Sequence, residues 1–196
     1  MNPWYKGILN VGWPFFTLYH PIKVAGQENI PEGGCLVCAN HSSMSDPCFV
    51  VVAFSKKRQL HIMAKASVMR IPLLGPLLKK AGIFGIERGK ADFNAIKTAM
   101  KLLKDGEYVL MFPEGTRVRE EDDIEAKNGA AMLAVRTGVP VLPVYIPVKK
   151  PAFRRLTVVI GEPYHIVPET RRPSQEDYHR YANELLDKIY KLGEVK

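Results

Sequence analysis

The sequence predicts an α/β protein. The expected architecture is a single domain with a mostly parallel or mixed central sheet flanked by helices, preceded by an N-terminal amphipathic helical segment at a membrane interface. Three observations lead there. Short apolar runs at Cys35–Ala39, Leu60–Ala64, Tyr108–Phe112 and Val139–Pro147 have the length and composition of buried strands. Between them lie stretches of helical periodicity, clearest at Asp92–Lys104, where Phe93, Ile96, Met100 and Leu103 recur at three- and four-residue steps. Such alternation implies a sheet covered by helices. Finally, 196 residues with 46% apolar and 24% charged side chains suit one hydrophobic core, and no repeat, low-complexity tract or linker divides them.

The first element is unusual. From Gly7 to Ile22 there is no Asp, Glu, Lys or Arg, and both tryptophans, Trp4 and Trp13, fall in or beside this stretch. Sixteen helical residues rise only ~24 Å, short of a ~30 Å hydrocarbon core. Pro14 would also kink such a helix. The start lacks the basic region and cleavage site of a signal peptide. Aromatic side chains with one polar edge favour the membrane interface, so residues 1–20 are expected to lie in one leaflet as an anchor. An ordinary helix packed on the protein's own core is the alternative. Residues 21–196 form the globular domain.

The remaining elements follow in order. Ile22–Ala25 and Cys35–Ala39 read as strands, Pro47–Ser55 as a helix, and Leu60–Ala64 as a strand. Ile71–Lys80 is an apolar run with a basic end, interrupted by Pro72, Gly75 and Pro76. Gly82–Ile86 reads as a strand, Asp92–Lys104 as a helix, Tyr108–Phe112 as a strand and Asn128–Thr137 as a helix. Val139–Pro147 and Leu156–Ile160 are strands. The last helix starts at Ser174, with Asp177 three residues on as a capping signal, and runs to about Leu192.

Charge restricts the partners. The 28 Lys+Arg exceed the 20 Asp+Glu, giving a formal net charge of +8. Residues 1–90 hold 11 basic and 4 acidic side chains, against 17 and 16 in residues 91–196, so nearly all the excess is in the first half. A one-sided positive field attracts nucleic acid, an anionic membrane or a phosphorylated substrate. Lys56-Lys57-Arg58 and Lys79-Lys80 read as solvated ends or lipid headgroup contacts rather than nucleic-acid contacts. Three cysteines, an odd count, argue against a disulfide framework and for a reduced, intracellular setting. Cys35 and Cys38 are three apart on a strand and would face opposite sides, which suits buried thiols and not a shared metal. His20, His61, His165 and His179 have no acidic partner at motif spacing and read as structural.

Two segments carry chemistry. In Asn40-His41-Ser42-Ser43-Met44-Ser45-Asp46, His41 follows an apolar strand, and Asp46 precedes Pro47 where the next helix should begin. A turn between them can bring the carboxylate to one imidazole nitrogen, leaving the other as an oriented general base. The same spacing also suits Asp46 as a plain helix N-cap with Pro47 at the first helical position. Ser42, Ser43 and Ser45 lack the G-x-S-x-G turn of a serine hydrolase. In Phe112-Pro113-Glu114-Gly115-Thr116-Arg117, Gly115 permits close backbone approach, Arg117 offers a planar fork for phosphate, and Glu114 can orient that Arg or a substrate hydroxyl. A bland strand-to-loop turn has the same composition.

Together these segments resemble the glycerolipid acyltransferases, and within them the 1-acyl-sn-glycerol-3-phosphate (lysophosphatidate) acyltransferases. Gly82-Ile83-Phe84-Gly85-Ile86-Glu87-Arg88 is similar to that family's second block, Val139-Pro140-Val141-Leu142-Pro143-Val144 to its fourth, and Lys127-x-Gly129-Ala130-Ala131 to the stretch after the third. The likeness runs from about residue 20 to 165, with the blocks in family order. It implies acyl transfer from an acyl-CoA or acyl carrier protein thioester to the sn-2 hydroxyl of lysophosphatidate, yielding phosphatidate. His41 would be the base and Asp46 its orienting carboxylate, without a covalent acyl-enzyme. Arg88 and Arg117 would clamp the phosphate, and Lys65 would add a phosphate or oxyanion contact. Glu114, Gly115 and Thr116 would shape the glycerol site. No metal or prosthetic group and no nucleic acid is implied, and residues 21–196 would be the acyltransferase domain, held at the cytoplasmic face of a membrane by residues 1–20 and Ile71–Leu78. Glu87 stands where the family often has Asp, Val118 where it often has Ser, and Glu120–Glu125 is unusually acidic. Other readings are a different acceptor, glycerol 3-phosphate or another lysophospholipid, and a non-catalytic basic module that binds membrane or nucleic acid.

Overall fold

The computed structural model describes residues 1–55, 58–87, 92–118 and 126–194. Seven apolar runs pair into one sheet: β1 (Ile22–Ala25), β2 (Leu36–Ala39), β3 (Leu60–Lys65), β4 (Phe84–Ile86), β5 (Tyr108–Met111), β6 (Val141–Tyr145) and β7 (Leu156–Ile160). Their order across the sheet is β1-β7-β6-β2-β5-β3-β4. Every neighbouring pair is parallel except β6 with β7, so the sheet is mixed as predicted.

Six helices cover the sheet among the described residues: α1 (Pro3–Tyr19), α2 (Asp46–Ala53), α3 (Leu74–Lys80), α4 (Phe93–Lys104), α5 (Gly129–Thr137) and α6 (Gln175–Glu194). The central strand β2 is buried along its whole length, as expected where helices lie on both sides of a parallel sheet. Its alternate residues serve different cores. Val37 and Ala39 pack with Phe49, Val50 and Phe54 of α2 and its end. Leu36 and Cys38 pack with Leu103, Leu133, Leu185 and Ile189 of α4, α5 and α6. Cys35 joins the first core and Cys38 the second, so the two thiols do face apart. Burial pushes the Cys35 thiol up to about 12, which suits an inert apolar filler.

Helix α1 runs through Pro14 without interruption. It is fastened along one side. Tyr5 and Leu9 are buried against Ala81, the Tyr5 hydroxyl accepts the Leu60 N–H at 3.2 Å, and Phe16 meets Phe49 edge-on at 5.0 Å. Its other side is bare: Val11, Phe15 and Leu18 are 68–72% exposed. Beyond α1, Leu73 is 89% exposed and leads into α3. That helix forms despite Gly75 and Pro76, because Pro76 lies in the first turn, where a missing N–H costs no intrahelical bond.

Candidate active site

The sheet opens at the carboxyl ends of β2 and β5. From the end of β2 the chain passes through α2, on one face, to β3; from β5 it passes through α5, on the other face, to β6. β2 and β5 are adjacent and parallel. Connections that leave neighbouring strand ends toward opposite faces create a crevice at the carboxyl ends, where α/β proteins place ligands. Both predicted motifs lie here. Cys38 pairs with Met111, and His41 and Glu114 each stand three residues beyond that pair.

His41 and Asp46 meet as the motif predicts. His41 Nδ1 lies 2.9 Å from Asp46 Oδ2. That oxygen also accepts the N–H groups of Ser42 at 2.6 Å and Ser43 at 2.7 Å. Asp46 is fully buried. Burial alone would raise its carboxyl, but hydrogen bonds from His41, Ser43 and Lys150, with the Lys150 charge, hold it below the usual carboxylate value. An ionised Asp46 accepts from Nδ1–H, which sets the tautomer and leaves the lone pair on Nε2. The imidazole is also stacked on Phe112, ring centroids 4.1 Å apart. Asp46 is not the N-cap of α2. Ser45 holds that place, Asp46 is the first helical residue and Pro47 the second. The carboxylate turns back to the Ser42–Ser43 turn and the histidine, so it is spent on the dyad.

The second motif grips the backbone of the first. Glu114 Oε2 accepts the His41 N–H at 2.8 Å, Glu114 Oε1 accepts the Tyr190 hydroxyl at 2.8 Å, and the His41 carbonyl accepts the Val118 N–H at 2.8 Å. Glu114 is only 2% exposed. Burial pushes its carboxyl up to about 7, against the hydrogen bonds from Tyr190 and His41 that lower it. Gly115 takes φ +69°, and a Cβ there would come within 3.0 Å of Lys127 Cγ. On the other side of β2, the Asn40 amide donates to the Ile146 carbonyl at 2.8 Å and accepts its N–H at 2.7 Å, extending the ladder past the strand ends.

Of the remaining predicted residues, Thr116, Arg117 and Lys65 are exposed at the strand ends. Arg88 lies outside the described residues, as do Lys56, Lys57 and the acidic run 120–125. Glu87 pairs with Arg70. Sequence reasoning passed over two partners. Lys150, with a side chain 7% exposed, brings Nζ to 2.9 Å from Asp46 Oδ1. Tyr190 reaches Glu114 from α6. The one signal available was a Lys just after the apolar run of β6, the neighbour of β2.

A carboxylate-backed histidine at a sheet crevice is the apparatus of enzymes that activate a hydroxyl by taking its proton. The Acyltransferase family model matches residues 21–147, so the chain belongs to that family and is an acyltransferase. It is 31% identical over 194 residues, 96% of each chain, to the 1-acyl-sn-glycerol-3-phosphate acyltransferase of Bacillus subtilis. Against the protein of the same name from Borreliella burgdorferi it is 33% identical over 63% of this chain and 50% of that one. Its fold matches the crystal structure of the 1-acyl-sn-glycerophosphate (LPA) acyltransferase PlsC from Thermotoga maritima. That match has a TM-score of 0.67 at 29% identity and covers 98% of this chain and 80% of that one.

Proposed function

We propose that this acyltransferase moves a fatty acyl group from a thioester to the sn-2 hydroxyl of 1-acyl-glycerol 3-phosphate, giving phosphatidate. The observation that carries it is the buried His41–Asp46 contact of 2.9 Å at the switch of the sheet, beside the Glu114–Arg117 turn. The relatives named above, called 1-acyl-sn-glycerol-3-phosphate or 1-acyl-sn-glycerophosphate (LPA) acyltransferases, support the acceptor. In the reaction, His41 Nε2 takes the acceptor proton as that oxygen bonds the thioester carbonyl carbon. The C–S bond then breaks, and the imidazolium returns the proton to the departing sulfur. An alcohol nucleophile needs no acyl-enzyme. Arg117, Arg88 and Lys65 are proposed to hold the phosphate, since an Arg fork matches its oxygens bidentately. An acyl-CoA or acyl carrier protein donor, each anionic, suits the net charge of +8.

The test is thiol release from palmitoyl-CoA and from palmitoyl carrier protein, with lysophosphatidate, glycerol 3-phosphate or lysophosphatidylcholine as acceptor. Phosphatidate from lysophosphatidate, at a rate at least tenfold above the other acceptors, is expected. A faster product from either rival acceptor overturns the assignment.

We further propose that α1 and the Leu73 region seat the enzyme on one leaflet. No helix among the described residues is long and apolar enough to cross a membrane, while Val11, Phe15, Leu18 and Leu73 project from the surface. Apolar area facing lipid and basic residues near its headgroups act together. Phe15→Asp with Leu18→Asp is expected to cut co-sedimentation with vesicles containing phosphatidylglycerol by tenfold or more. Unchanged binding by a folded double variant would remove the anchor.

A further inference from the structure

Lys150 belongs to neither motif, yet it reaches the centre of the site from the segment after β6. Its ammonium forms an ion pair with Asp46 Oδ1 at 2.9 Å and donates to Ser42 Oγ at 2.7 Å and to the Val148 carbonyl at 3.4 Å. Its side chain is 7% exposed, and the carboxylate it meets is fully buried. An ammonium is withdrawn from water only where such partners replace its hydration. We propose that Lys150 is the positioning residue of the dyad, pinning the carboxylate oxygen that His41 does not use and tempering the negative charge behind the imidazole.

Two consequences follow from the geometry. Asp has a soft terminal torsion. With Oδ2 alone engaged, the carboxylate plane could swing; with Oδ1 tied to Lys150 it is fixed, and so is the ring that leans on Oδ2. The second consequence is electrostatic. A lone buried carboxylate makes an adjacent imidazole more basic, and a His41 that already carries a proton cannot take one from an alcohol. The Lys150 ammonium, across the same carboxylate from the ring, opposes a second positive charge there. The charged and titratable groups around this cluster are few. Asp46 faces His41, Lys150 and the Cys48 thiol of α2, which burial and then the Asp46 charge push up. Glu114 faces His41 through its backbone N–H. From the end of α1, His20 faces Lys150, whose charge lowers it after burial does. The Phe49 ring, 5.8 Å from Nζ, and the stacked Phe112 fill the rest.

This inference rests on His41 as the base, so the experiment separates the two. Wild type, Lys150→Arg, Lys150→Gln, Lys150→Met and His41→Ala are compared by circular dichroism, thermal unfolding, and the pH profile of kcat/KM with lysophosphatidate and palmitoyl-CoA. The expected result for Lys150→Gln and Lys150→Met is a loss of about tenfold or more at pH 7, with the acidic limb moved upward by about one pH unit. Lys150→Arg, which keeps the cation, retains the wild-type limb. A folded neutral variant whose limb coincides with wild type overturns the proposal, whatever its rate. Failure of both neutral variants to fold assigns Lys150 to stability and overturns it equally. Wild-type turnover in His41→Ala would instead remove the base assignment. An inactive His41→Ala beside a Lys150→Gln that titrates as wild type would remove only the role of Lys150.

Discussion

His41→Ala is expected to remain folded and to release thiol from an acyl thioester at least roughly 10²-fold more slowly than the native protein. The fold should survive because the carboxylate behind the ring keeps other partners. Asp46 retains the N–H groups of Ser42 and Ser43 and the Lys150 ammonium. The backbone of residue 41 retains Glu114 and Val118. What is lost is a ring stacked on Phe112 and the nitrogen proposed to take the acceptor proton. A thiol-reactive dye followed at saturating acceptor, with circular dichroism in parallel, measures both. Activity within a few-fold of wild type would mean the hydroxyl loses its proton elsewhere.

Glu114→Gln is expected to flatten the dependence of stability on pH between about 5 and 7. Burial lifts the Glu114 carboxyl from 4.5 to about 7 in the folded protein. Across that window the unfolded chain has released a proton that the folded chain still binds. Stability is therefore fully present below about 4.5 and declines as pH rises, by up to about 3 kcal/mol at 7. Glutamine imitates the protonated acid: its carbonyl can accept the His41 N–H, and its amide can donate to Tyr190. Urea unfolding at pH 5 and pH 7.5 provides the comparison. Equal declines in variant and wild type would place the titrating group elsewhere. Asp46 acts in the opposite sense. Its lowered carboxyl contributes stability above its ordinary value of 3.8, lost on acidification below it, so the two windows stay apart.

Local pattern and long-range contact were unequally legible. β1 and β7 fall at the predicted residues, Ile22–Ala25 and Leu156–Ile160, because each is a short apolar run with charged or turn-forming neighbours. The α6 cap was equally readable: Ser174 Oγ and N–H both meet Asp177 Oδ2, a bond pattern closed within four residues. Cys35–Ala39 lost its first residue, and Val139–Pro147 shortened to Val141–Tyr145, since apolar character outlasts pairing at strand ends. The start of α2 was misread because a carboxylate next to proline satisfies the capping pattern, while tertiary partners claimed it. The His41–Asp46 pair could be anticipated because its members lie only five positions apart. Ser42 and Lys150 are 108 apart in the chain, and Glu114 and Tyr190 are 76 apart. No spacing rule reaches that far; only the order of strands brings them together.

The pairing of β2 with β5 also limits where such a chain can change length. His41 and Glu114 meet because each is counted off from one hydrogen-bonded rung, Cys38 with Met111. Adding or deleting a residue at 39–41 or 112–114 would shift the His41 N–H and the Glu114 carboxylate out of step with each other. Two windows of three residues are thus closed to insertion and deletion, however freely the remoter connections drift.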